Sequence, residues 1–350
     1  MKKCHVILCT MLVSLLAFYA CKSVETTSAM LHNQHGNYDK AIEMAMLALE
    51  KKPNDAEAHF QLGISYSYTG KMKESYIEFQ EAARLDPKKL NDVENNIKHN
   101  WATHFNNGVS EYSIENMEGA EKEFKLATEA DPRHVKGWLN LAKVQFRLAQ
   151  DDSTYLEPAF ESVDTLLARV TPDEEEYANV LSLSGKVMIR RGMQDRAIDI
   201  FEKLMLDDPA NFEIVEEVAG DFVGQKEWES AATFYEMAAD GRRKTDSEDF
   251  EVYYNLGVIY FKLERFMEAI DAYQNTLRMK PDDRQASYSL LLTYYQAEFY
   301  DEAIMMGQQY TQTIAPEEAR GWQILSLSYN KKGMKIKAEE AFQKFKELSQ

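Results

Sequence analysis

His59-Phe60-Gln61-Leu62-Gly63-Ile64-Ser65-Tyr66, followed by Ser75-x-x-x-Phe79-x-x-Ala82 and closed by Pro87, is the stretch whose reading decides the fold. Ser75, Phe79 and Ala82 stand at helical spacing, so they share one face of a helix. Leu62, Gly63 and Tyr66 mark a second helix, with the small residue Gly63 twelve positions before Ser75. The arrangement returns at Leu256-Gly257-x-x-Tyr260, Ala269, Tyr273 and Pro281. Two helices that each carry a small residue at a fixed site approach closely and leave one apolar face for a neighbour.

Working outward, small residues like Ser75 recur at Ala41, Ala120, Ala159, Ala197, Ala231, Ala269, Ala303 and Ala338, with spacings of 34 to 45 residues. Prolines follow twelve residues after five of these nine anchors, at Pro53, Pro87, Pro132, Pro209 and Pro281. Four residues after an anchor comes Phe79, Phe124, Phe201, Tyr235, Tyr273 or Phe342, and seven after it Ala48, Ala82, Ala127 or Ala238. Nine units follow, at 22–55, 56–89, 101–134, 135–174, 178–211, 212–245, 250–283, 284–317 and 319–350. Three departures stand out. Residues 89–100 are extra and read as a linker or a lengthened helix, and the turn Gln150-Asp151-Asp152-Ser153 is long, with Pro158 suited to a first helical turn. Gly241-Arg242-Arg243-Lys244 stands where a proline is expected, before the acidic 246–249, and reads as an exposed charged loop.

The pattern resembles the tetratricopeptide repeat, whose unit reads W-x2-L-G-x2-Y, then A-x3-F, then P. Residues 59–87, residues 253–281 and Trp138-Leu139-Asn140-Leu141-Ala142 carry it best. The resemblance implies an all-α, right-handed superhelical solenoid of about nine helix-turn-helix repeats. Its parts are a signal at 1–20, units one and two in 21–89, the linker or extended helix at 90–100, and units three to nine in 101–350.

Composition agrees with a helical, folded chain: 45% hydrophobic and 28% charged residues, with only 15 Gly and 8 Pro in 350. A formal charge of −18 repels phosphate backbones and anionic lipid, so nucleic-acid binding by overall charge is excluded and proteins are the expected partners. Met1, Lys2 and Lys3 precede an apolar stretch from Val6 to Tyr19, too short to span a bilayer, which reads as a secretory signal. Its end, Phe18-Tyr19-Ala20-Cys21, resembles the lipobox of bacterial lipoproteins, which implies lipidation at Cys21 and a place in the cell envelope. The cysteines, Cys4, Cys9 and Cys21, all lie in or beside the signal, so the mature chain is expected to hold no disulfide.

No Gly-rich phosphate loop, G-x-S-x-G, H-E-x-x-H or cysteine nucleophile is present after the signal, so neither catalysis nor a cofactor is expected. His32-x-x-His35 lacks a third ligand and reads as solvated, not as a metal site, and Glu174-Glu175-Glu176 reads as solvated helix surface. In the family that the repeats resemble, the first helix of each unit lines a concave groove. By register that face carries Phe60, Ile64 and Tyr68 in unit two, and Phe105, Asn106, Val109 and Tyr112 in unit three. Units seven and eight place Tyr254, Asn255, Val258, Phe261, Tyr288, Leu292 and Tyr295 there. Between them Lys136, Asn140, Lys143, Arg147, Lys186 and Arg190 gather positive charge.

Some family members hold a terminal carboxylate with Lys and Asn in one unit, Asn in the next, then Lys and Arg. Here Asn106 and Lys136 match, while Phe60 and Ile64 replace the first pair and Asn140 replaces the Arg. The residues therefore fit a looser groove that takes an extended or helical segment bearing an acidic group. The expectation is a non-catalytic scaffold or adaptor, lipid-anchored in a bacterial envelope, with a periplasmic holdase or regulator of wall enzymes as the rival. The last helix, with Ala338, Phe342, Phe345 and Leu348 before the final Gln350, is expected to support self-association.

Overall fold

The computed structural model describes residues 23–350; the apolar N-terminal stretch and Cys21 lie outside the described residues. Among those described, eighteen α-helices and no strand are present, and consecutive helices pair into nine units. The pairs are α1 (Val24–Gln34) with α2 (Tyr38–Lys51), α3 (Ala56–Tyr68) with α4 (Met72–Leu85), and α5 (Leu90–Ser113) with α6 (Met117–Ala130). Next come α7 (Val135–Leu148) with α8 (Leu156–Leu167), then in chain order α9 (Tyr177–Arg190) and α10 (Gln194–Asp207), and α11 (Phe212–Gln225) with α12 (Trp228–Lys244). The last three are α13 (Phe250–Lys262) with α14 (Phe266–Met279), α15 (Arg284–Gln296) with α16 (Tyr300–Gln309), and α17 (Ala319–Lys331) with α18 (Lys335–Leu348). The chain divides into two compact parts, one ending at Val187 and the other running Met188–Gln350.

All nine anchors are buried, eight of them at 1% exposure or less and Ala338 at 9%. Their neighbours explain why they are small. Gly63 faces the ring of Phe79, Gly108 that of Phe124 and Gly257 that of Tyr273, and an added Cβ would stand 2.7, 2.7 and 2.6 Å from the ring. In these three units the ring on the second helix thus needs a bare backbone sixteen residues earlier, where Tyr235 and Phe342 have Ala219 and Ser326. Unit eight reverses the assignment: Leu291 occupies the small site and Gly307 the aromatic one, with Leu291 3.3 Å from where a Cβ of Gly307 would be. The displaced ring reappears one turn later as Tyr310, fully buried against Gly321, where the helix widens into a π-helical turn over Tyr310–Ile314.

In eight of the nine units the turn between the two helices is fixed five residues before the anchor, unit four having a 3-10 turn there instead. Gly36, Gly70, Gly192 and Gly333 take a left-handed backbone there, and so do Glu115, Lys226, Glu264 and Glu298. Units lacking the glycine hold a costlier residue in the same geometry, so tertiary packing imposes this turn. Between units, an aspartate before the next helix accepts from backbone N–H groups. Asp55 caps α3 and also accepts from Thr26 of unit one, which ties the first two units together. His59, Trp138 and Trp322 each place a ring nitrogen 2.9 to 3.0 Å from the carbonyl of the proline six residues earlier.

Of the three departures, the first takes one of its two expected forms and the charged loop is corrected. Residues 90–100 are the opening of α5, a helix of 24 residues, and not a linker. Glu94 on that extension pairs with both Nη atoms of Arg133, which also holds Asp131, so the extra turns reach back to clamp the turn before α7. Asp131 is buried; burial alone would raise its pKa, but the Arg133 side chain and N–H outweigh this and hold it below the usual carboxylate range. Gly241, Arg242, Arg243 and Lys244 are the last turn of α12 and not a loop. Gly241 is buried within 3.0 Å, by its would-be Cβ, of the Pro209 carbonyl. Arg242 makes a double hydrogen bond to Glu216 and lies 4.3 Å over the Phe212 ring. The long turn after α7 contains a 3-10 turn over Ser153–Tyr155, with Pro158 in the first turn of α8.

Candidate functional site

The face expected to line a groove is built by alternate rows of each first helix. In unit two, Phe60 and Ile64 pack half-buried against the cluster of Phe79, Val93 and Ile97. Lys89 lies 4.8 Å over the Phe60 ring while pairing with Glu57, so Phe60 is a covered wall residue. Tyr68 is 64% exposed and stacks flat on Tyr38 at 4.4 Å. Nearby, His59 faces Glu78 with Nδ1 and the Pro53 carbonyl with Nε2. Burial lowers its pKa, but the two acceptors outweigh that and raise it, since only the imidazolium donates to both.

In unit three, Phe105 stacks on Trp101 at 4.9 Å and packs against Phe124. Asn106 is exposed, as are Val109 at 45% and Tyr112 at 49%. Tyr112 and Arg147 meet across an open cleft of about 640 Å³, together with Ser113, Glu115, Met117 and Asp151. Sequence register had placed Tyr112 and Arg147 on separate units without indicating that they converge. The two acids, Glu115 and Asp151, were not among the candidate groove residues and come from the turns after α5 and α7.

The basic wall is smaller than expected. Lys136 pairs with Glu175 at 3.1 Å and Glu176 at 3.5 Å, so its charge is met within the fold. This corrects the reading of 174–176 as helix surface: these residues form the turn before α9 and fold back on α7. Asn140 donates to the Lys136 carbonyl within its own helix. Lys186 and Arg190 also have partners in the fold, and Arg190 falls in the second part while Lys186 falls in the first. Lys143 and Arg147 are exposed, with Arg147 donating to Gln150 at 3.3 Å.

In the second part, Tyr254 packs on Tyr273, Phe261 on Phe266, Tyr288 on Tyr310 and Tyr295 on Tyr300, with ring centres 5.8 to 6.0 Å apart. Asn255 donates to the Tyr235 hydroxyl, and Arg320 lies 4.9 Å over Tyr288. Val258 and Leu292 are half-buried. These residues therefore bind their own neighbours, and the Tyr254, Phe261, Tyr288 and Tyr295 rings are each half-buried. His32 and His35 lie at the end of α1, and no group of three metal-ligating side chains occurs among the described residues. No described helix is long and apolar enough to cross a membrane.

Among the described residues this is an all-helical array of helix-turn-helix units. The tetratricopeptide repeat profile matches residues 56–89 and 250–283, so units two and seven are tetratricopeptide repeats. It is 21% identical over 281 residues to the BBSome complex member BBS4 homolog of Drosophila melanogaster, covering 78% of this chain and 54% of that protein. With the peroxisomal targeting signal receptor of Komagataella phaffii it shares 25% identity over 162 residues, 45% of this chain and 27% of the receptor. The chain thus spans about half the length, or less, of these curated relatives. Among solved structures, the C-terminal part of a TPR repeat-containing protein from Cytophaga hutchinsonii is 16% identical, covers 70% of this chain and 95% of its own, and gives a TM-score of 0.46. YrrB, described as a TPR protein with an unusual peptide-binding site, is 18% identical over 64% of this chain and 91% of its own, with a TM-score of 0.35.

Proposed function

We propose that the chain is a non-catalytic scaffold or adaptor that holds a segment of a partner protein on the first-helix face of units three and four. The observation that carries this is the pairing of exposed apolar side chains, Val109 and Tyr112, with the exposed cations Lys143 and Arg147 on neighbouring helices. An extended or helical segment with an aromatic or aliphatic anchor and one acidic group matches that chemistry. Replacing Lys143 and Arg147 by Ser is expected to weaken partner binding roughly tenfold and flatten its salt dependence, with helical circular dichroism unchanged. Equal affinity at every salt concentration would reduce both residues to solubilising surface. Crosslinking in intact cells separates the adaptor, with one stoichiometric partner, from a holdase or regulator of wall enzymes with many weak ones. Light scattering across the same concentration series reads self-association through α18, where Phe342 and Leu348 are exposed beside Lys344 and Glu347.

The same reading puts the protein in a bacterial cell envelope, held by acyl chains on Cys21, since Ala20-Cys21 ends the apolar N-terminal stretch. Cys21→Ser is expected to release the protein from membranes, and an intact mass of the mature wild type without acyl chains would refute the anchor.

A further inference from the structure

The last unit departs from the other eight in one respect that packing does not require. Every other second helix carries an acid in its first turn: Asp39, Glu74, Glu118, Glu157, Asp195, Glu229, Glu268, and Asp301 with Glu302. Those acids suit the positive end of a helix. In α18 the first turn has no acid and carries Lys335 and Lys337 instead. With Lys331 and Lys332 they make the run Lys331-Lys332-Gly333-Met334-Lys335-Ile336-Lys337, four cations without an acid in a chain of formal charge −18.

The structure turns this run into a tip. Gly333 takes the left-handed turn between α17 and α18, and all seven residues are exposed, Met334 at 42% and Ile336 at 77%. Lys332 reaches Asp301 at 2.8 Å, and Lys331 and Lys337 lie over the rings of Tyr300 and Tyr329, while Lys335 flanks Ile336. We propose that this basic and apolar tip, residues 331–337, is a contact site for an anionic lipid surface, independent of the groove and of any acyl chain. Lysine heads among anionic headgroups, with Ile336 and Met334 entering the boundary beneath them, make use of all the exposed groups. A protein partner is the poorer match, because a single seven-residue turn offers far less than the roughly 800 Å² per partner of a stable interface. The overall negative charge opposes approach at long range, but it is largely screened beyond about 8 to 10 Å at physiological salt, which leaves the tip's four lysines against the nearby Asp301, Glu339 and Glu340.

The test uses the full chain carrying Cys21→Ser, so that no acyl chain contributes, and vesicles of phosphatidylcholine alone or with one quarter phosphatidylglycerol. Sedimentation should show preference for the anionic vesicles that fades with salt. Lys335→Glu with Lys337→Glu, which restores the acid of the other units, should lower that binding by roughly tenfold or more without loss of helix. Ile336→Ser should lower it several-fold while leaving the salt dependence intact. The N-terminal apolar stretch is common to all variants and contributes equally to each. Equal partition of the parent and the charge-reversed protein would overturn the proposal. Binding to polyglutamate at least as tight as to the anionic vesicles would overturn it in favour of an acidic protein segment.

Discussion

Phe79→Ala is expected to destabilise unit two by about 3–5 kcal/mol, since a fully buried ring is removed and the surrounding helices close the space only partly. In a repeat array the loss stays near the affected unit, so the amides of α3 and α4 should lose at least about a hundredfold of hydrogen-exchange protection. The partner residue makes the cause identifiable. Gly63→Ala places a Cβ 2.7 Å from the Phe79 ring, an overpacking cost of about 1–3 kcal/mol, partly offset by the roughly 1 kcal/mol by which Ala favours a helix over Gly. In the Phe79→Ala background the clash is gone, and Gly63→Ala should become stabilising. A double-mutant cycle should therefore give a coupling of at least about 1 kcal/mol, and additive effects would show that the two sites do not share one packing constraint.

Arg242→Ala is expected to cost about 2–4 kcal/mol in the second part, because it leaves a largely buried Glu216 carboxylate without its cation and uncovers the Phe212 ring. Arg242→Lys should recover less than half of that loss. An ammonium is a point charge and cannot make two parallel hydrogen bonds to Glu216 while lying flat over Phe212. Urea unfolding followed by circular dichroism measures both variants. A lysine as good as the arginine would mean that charge alone, and not the planar fork, holds the end of α12.

The repeat itself was legible because its signals are local. Anchors such as Ala41 or Ala269 lie on one helix with the residues four and seven positions later, and helical geometry fixes their common face. The anchor positions implied nine units, and all nine anchors are buried. The sixteen-residue exchange between Gly63 and Phe79, or Leu291 and Gly307, was also written in the chain. It becomes visible only when two helices are laid side by side, because volume is conserved across the pair and not within either helix.

The candidate site was legible as a set of positions and not as a set of free groups. Register placed Lys136 among the binding cations, but Glu175 and Glu176 fold back from 39 and 40 residues away to meet it. Tyr112 and Arg147 converge in one cleft because the turns after α5 and α7 bring neighbouring units together there. The sequence by itself determined the helical class and the small residues at which the units stack, from spacing within about two turns, and the number of units, from the recurrence of that spacing along the chain. Only the tertiary structure decided which charges are already paired, that residues 241–244 extend α12, and that residues 331–337 form an exposed tip. These outcomes depend on side chains that meet across separate helices, and the free energy of an ion pair or a buried ring is set by that meeting.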